Sequence, residues 1–150
     1  MPYQALDTAV WSLRQELTGV FTVVVDANQL RNRSAVFSQF AAAFQFPEYF
    51  GGTWNAFADC LGDLSWLAPK AFVLIVRDAP VLLIEGDPDE FSLFLKIVEE
   101  IGDSFAQNQV QHSSTPFHAV FHALPEAAAA FDLRLRAAGR VTPGLPVLSW

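Results

Sequence analysis

The stretch Phe21-Thr22-Val23-Val24-Val25, followed by Asp26-Ala27-Asn28, decides the fold class. Five consecutive β-branched or aromatic residues predict a strand buried on both faces, because a strand with one wet face would alternate polar and apolar. The Asp-Ala-Asn that follows supplies turn chemistry. Working outward, Phe72 to Val76 and Phe117 to Leu124 read as a second and a third strand of the same kind.

Helical patterns fill the intervals. Ser34 is placed to cap a helix on which Val36, Phe37, Phe40 and Phe44 repeat at helical spacing, and Phe46-Pro47 ends it. Gly51-Gly52 makes a loop, and Thr53 caps the next helix. There Trp54, Phe57, Ala58, Leu61 and Leu64 form one apolar arc, with Asn55, Asp59, Gly62 and Asp63 on the opposite arc. Asp87-Pro88-Asp89-Glu90 is a helix start, with a capping Asp, Pro at the first helical position and Glu three residues after the cap. That helix should bury Phe91, Phe94, Leu95, Val98, Ile101 and Phe105 and expose Lys96, Glu99, Glu100 and Asp103.

Two terminal pieces flank this alternation. Asp7 can cap a first helix with Val10, Trp11 and Leu17 as its stripe and Gly19 as its stop. Pro125-Glu126 opens an Ala-rich helix, and a Pro- and Gly-containing tail follows Gly139. Strands alternating with helices predict an α/β fold, a small three-stranded parallel sheet covered by helices. The expected organisation is one domain over residues 1–150. Its core spans about 20–124, with an N-terminal helical extension 1–19 and a C-terminal extension 125–150.

A hydrophobic fraction of 52% is too apolar for a disordered chain. Yet no apolar run approaches the ~20 residues of a membrane span, and the run Ala71 to Val76 is ended by Arg77 and Asp78. Met1-Pro2-Tyr3-Gln4 does not read as a secretory signal. A lone Cys60 excludes an intrachain disulfide and a cysteine-based metal site, so a cytoplasmic protein is expected. The net charge of −7 is unevenly spread. From Ser34 to Leu133 only Lys70, Arg77 and Lys96 are basic, against thirteen acidic residues. Such a chain should not bind nucleic acid through phosphates, and it should attract a basic protein.

Catalytic chemistry is hard to assemble from these residues. There is no glycine-rich phosphate loop, dinucleotide fingerprint or nucleophile elbow. His118 and His122, four apart on a strand, stand about 13 Å apart, too far to share a metal ion. No basic residue between Arg33 and Lys70 could activate Cys60, which reads as a small core residue. The acid pairs Asp87/Asp89 and Glu99/Glu100 have simpler roles as helix start and solvated face. The reading is a binding protein without cofactor or metal. An enzyme using His118, His122 or Cys60 is the weaker alternative.

The segment Phe46-Pro47-Glu48-Tyr49-Phe50-Gly51-Gly52-Thr53-Trp54-Asn55-Ala56-Phe57-Ala58-Asp59-Cys60-Leu61 resembles the signature of barstar-like ribonuclease inhibitors. That family carries Pro-Glu-Tyr-aromatic-Gly, a short turn, then a helix bearing Asp-Cys-Leu. The order of elements from Phe21 to Leu124 resembles the family as well. The resemblance implies an intracellular inhibitor or immunity protein that plugs the basic active site of a small ribonuclease or toxin with an acidic helix and its preceding loop. It implies partner-binding roles for Tyr49, Gly51, Thr53, Asn55, Asp59, Asp63 and Glu100. Tyr49 falls where the family places a binding aromatic, and Asp59 where it places the carboxylate that enters the enzyme's phosphate site. Asn55 stands where the well-studied member has an acid, Thr53 where it has Asn and Ala58 where it has Trp. An interaction module of the same fold with a different protein partner is therefore the alternative.

Overall fold

Three parallel strands, β1 (Val20–Asp26), β2 (Ala71–Arg77) and β3 (Phe117–Phe121), form one sheet in the order β1-β2-β3. The structure is a computed structural model and describes Asp7 and residues 19–48, 50–67, 69–107 and 115–140. The register aligns Val24 with Ile75 and Ile75 with Val120, so whole rows of side chains run across the sheet. Helices α1 (Arg33–Ala43) and α2 (Trp54–Asp63) connect β1 to β2, α3 (Pro88–Gln107) connects β2 to β3, and α4 (Ala128–Ala137) follows.

Alternation along the strands divides the sheet into two faces. Val23, Val25, Phe72, Leu74, Val76 and Phe117 belong to one apolar core with Phe37 and Phe40 of α1, Phe57 and Leu61 of α2, and Phe94 and Val98 of α3. Phe131 and Leu135 of α4 join the same core. The opposite face holds a separate cluster of Ile75 with Val24, Val73 and Val120. The expectation of a parallel three-stranded sheet covered by helices is thus met.

Several details differ from the sequence reading. The cap of α1 is Asn32, whose side chain accepts from the Ala35 amide at 2.9 Å, and Ser34 lies inside the first turn. β3 stops at Phe121 and not at Leu124. β2 ends at Arg77, opposite His122, and Asp78 turns away in the left-handed region at φ 57°, so no strand remains beside residues 123 and 124. His122 closes that end of the sheet. It is buried, its amide donates to Val76, its carbonyl accepts from Ala79, and its Nδ1 accepts from the Asp78 amide at 3.1 Å. α3 also buries Ile97, which the stripe inferred from sequence omitted. Most of the expected first helix, the polar loop after α3 and the tail after Arg140 lie outside the described residues.

Candidate functional site: an acidic helix on an aromatic base

α2 is held by its inner arc. Phe57 is fully buried and meets the rings of Phe40 at 5.2 Å, Trp54 at 5.5 Å, Phe37 at 5.7 Å and Phe94 at 6.2 Å between centroids. Cys60, Leu61 and Leu64 are buried beside it. Rings at such spacings in tilted and edge-on arrangements contribute about 0.5–1.5 kcal/mol per pair beyond their burial. The helix therefore cannot roll, and its outer arc is fixed in direction.

The loop ahead of α2 rests on the same base. Phe46 and Phe50 pack edge-on at 5.2 Å, and Phe50 stands edge-on to Phe37 at 5.6 Å. The Phe50 amide donates to the Pro47 carbonyl, which closes a turn there. The Trp66 indole N–H donates to the Phe44 carbonyl at 2.9 Å and ties the end of α2's span to the end of α1. Gly51 and Gly52 are exposed, and Gly52 takes φ +68°, where a side chain would be strained. Thr53 caps the helix, its hydroxyl accepting from the Ala56 amide at 3.1 Å.

Asn55, Asp59, Gly62 and Asp63 are all exposed, as the helical spacing predicts. Asp59 and Asp63 have no cation within 4 Å among the described residues, a condition they share with Glu48, Asp87, Asp89, Asp103 and Glu126, whereas Glu85, Asp26, Glu100 and Glu99 each have one. Their field reaches Cys60, which adjoins Asp59 and lies three residues before Asp63. The Cys60 thiol is pushed up first by burial and then by the charges of Asp59 and Asp63. An unreactive thiol follows, consistent with the core reading of Cys60. Glu100 is exposed on α3 but sits 3.9 Å from Lys96, so part of its charge is locally answered. α2 and α3 meet where Gly62 faces Ile101, next to Asp63 and Glu100 in the chain. Tyr49 lies outside the described residues.

Nothing else assembles into a reaction centre. His118 is exposed on β3 while His122 is buried past its end, bonded as an acceptor. Among the described residues no three His, Cys, Asp or Glu side chains group as metal ligands. No helix among them is long and apolar enough to cross a membrane. A cleft of about 490 Å³ opens between α3, β3 and the end of α4, lined by Leu95, Val98, Phe117, His118 and Leu135, with the ion-paired Glu99 and Arg140 at its wall. The sequence reading had no signal for it, since its walls come from three distant segments.

The fold and its outer helix define a small α/β protein with a rigid acidic face. A family model described as barstar (barnase inhibitor) matches residues 20–131. The chain belongs to the barstar family, which that description makes a family of inhibitors. No curated protein matches the chain. Among solved structures, the ORC2 protein of Aeropyrum pernix, in ADPNP–ADP complexes, is similar with a TM-score of 0.56 and 11% identity. The alignment covers 90% of this chain and 34% of that one, so this chain spans about a third of its length, and at such identity the likeness shows the fold alone.

Proposed function

We propose that this protein is an intracellular inhibitor that closes the active site of a small basic ribonuclease or ribonuclease toxin. The plug would be the outer arc of α2 with its preceding loop, from Tyr49 through Thr53 and Asn55 to Asp59 and Asp63. Glu100 would add a contact from α3. The observation that carries this reading is Asp59, an exposed carboxylate without a described counter-charge on a helix that cannot roll. A carboxylate so placed can take the position of a substrate phosphate among the enzyme's Arg and Lys side chains. No catalysis by this chain, no cofactor, no direct nucleic-acid binding and no membrane partner enter the reading, and the cytoplasm suits its single thiol.

The departures at Asn55, Thr53 and Ala58 favour one second reading, an interaction module whose basic partner is not a ribonuclease. One experiment separates the two. Proteins captured with the full chain from its own cells are identified, and each basic nuclease among them is assayed for RNA cleavage. Stoichiometric loss of cleavage supports inhibition. A basic partner without nuclease activity, or a nuclease that stays active in the complex, overturns it.

A further inference from the structure

The sheet ends with β3 in the order β1-β2-β3, so one side of the β3 backbone meets β2 and the other meets no described strand. The ladder shows which groups face outward. The Phe72 amide donates to the Pro116 carbonyl and the His122 amide to the Val76 carbonyl, so the even-numbered residues of this stretch turn their backbone groups toward β2. The amides and carbonyls of Phe117, Ala119 and Phe121 therefore point away from the sheet. Among the described residues none of them is bonded to another segment. An edge of this kind is a template for a further strand.

The same edge borders the cleft between α3 and the end of α4. Phe117, Ala119 and Phe121 pack with the main core, and Leu95, Val98 and Leu135 complete the apolar walls beside them. At about 490 Å³ the cleft falls within the ~300–1,000 Å³ of ligand sites. A strand laid along β3 would send every second side chain into it. Gly102 leaves one outward group clear, since a Cβ there would stand 3.5 Å from the Phe117 carbonyl oxygen and a longer side chain would cover it.

Charge selects the occupant. Glu99 and Arg140 on the cleft wall answer each other, so the cleft suits uncharged side chains. Asp103, exposed beside Gly102, has no cation within 4 Å among the described residues and suits a basic neighbour. We propose that the free edge of β3 and its cleft take an extended peptide segment of a partner protein as a fourth strand, apolar at alternate positions and basic where it passes Asp103. A second copy of this chain fits less well, because each copy carries a net charge of −7 and would bring its own helices to a gap between two helices. The proposal does not rest on what α2 binds.

The probe is an end-blocked peptide, Lys-Val-Leu-Val-Leu-Val-Lys, titrated into the isotope-labelled full-length protein and followed by NMR. Saturable shifts and slowed hydrogen exchange at the Phe117, Ala119 and Phe121 amides are expected. The same peptide methylated at every backbone amide cannot pair and should leave them unmoved. Ala119→Pro removes an outward donor without touching the ladder, a position where edge strands tolerate Pro. Gly102→Leu covers the Phe117 carbonyl and obstructs the cleft, and keeps the test open should Ala119→Pro fail to fold. Each folded variant should bind roughly tenfold more weakly or worse. Equal binding of the methylated peptide, undiminished binding in folded Gly102→Leu, or no response of these amides overturns the proposal. So does an edge already protected in the free protein, whether from within the chain or by a second copy.

Discussion

Asp59 and Cys60 are neighbours on α2 that face opposite media: the carboxylate is exposed, while the thiol is 5% exposed in the core. The charge of Asp59, and after it that of Asp63, adds to burial in keeping the thiol protonated. Cys60 is thus a native reporter of the acidic face. Asp59→Asn should move the pH profile of alkylation at Cys60 to lower pH and raise the rate at fixed pH, and Asp63→Asn should do so by less. The sign for stability follows. An acid raised in the folded state contributes stability that is full below its ordinary range and is lost as pH rises through the raised value. Thermal midpoints should therefore fall on the alkaline side in the native chain, and by less in Cys60→Ala. Unchanged alkylation profiles in both Asn variants would mean that the carboxylates do not reach the thiol.

The charge map makes a prediction about nucleic acid. With three basic residues against thirteen acidic ones from Ser34 to Leu133, the central region repels phosphate. The isolated protein should show no RNA retention in a filter assay at physiological salt. Micromolar retention there would weigh heavily against an inhibitor that works by imitating phosphate.

Helix capping can be tested at α1. The Asn32 side chain accepts from the Ala35 amide, so Asn32→Ala should cost about 0.5–2 kcal/mol in urea unfolding. Ser34→Ala, already inside the helix, should stay within about 0.5 kcal/mol. The reverse order would restore Ser34 as the cap.

These cap positions also show where sequence ceases to decide structure. The β-branched runs were legible as strands from their residue types and length, although in the edge strand β1 only Val23 and Val25 are buried while Phe21, Thr22 and Val24 are half-buried. The arcs of α2 were equally legible, since Phe57 and Asp59 can only diverge on a helix. Asn32 and Ser34 are both good caps two residues apart, and only the path of the chain from Leu30 selects between them. β3 looked longer because Ala123 and Leu124 continue the apolar run, yet the turn at Asp78 removes their partner. The site was legible as a helix face, whereas the aromatic base under its loop joins Phe37, Phe46, Phe50 and Phe57 from separate segments. No spacing rule reports such a junction.

The base itself predicts which residues fold the helix and which serve its face. Phe57→Ala removes a fully buried ring that meets several others and should cost about 3–5 kcal/mol. Asn55→Ala, on the exposed arc of the same helix, should stay within about 0.5 kcal/mol. Denaturant unfolding of the two variants checks this, and equal costs would contradict the division of α2 into a core arc and an open arc.

Asp59 carries the sharpest expectation. If α2 plugs a basic active site, the complex desolvates Asp59 together with the enzyme's cations. Removing the carboxylate then leaves those cations buried and unpaired, at a cost of roughly 2–5 kcal/mol, a range to which complexes of this family's own kind contribute. Asp59→Ala should weaken the complex at least ~30-fold, since each 1.4 kcal/mol is tenfold. The free protein should keep its thermal midpoint, because an exposed side chain supports no core contact. Asp63→Ala, one turn further along, should cost less affinity. The measurement pairs titration calorimetry against the captured partner with a thermal melt of each variant. Loss of the fold in Asp59→Ala would make the residue structural. Full affinity with an intact fold would place the binding face elsewhere than on α2.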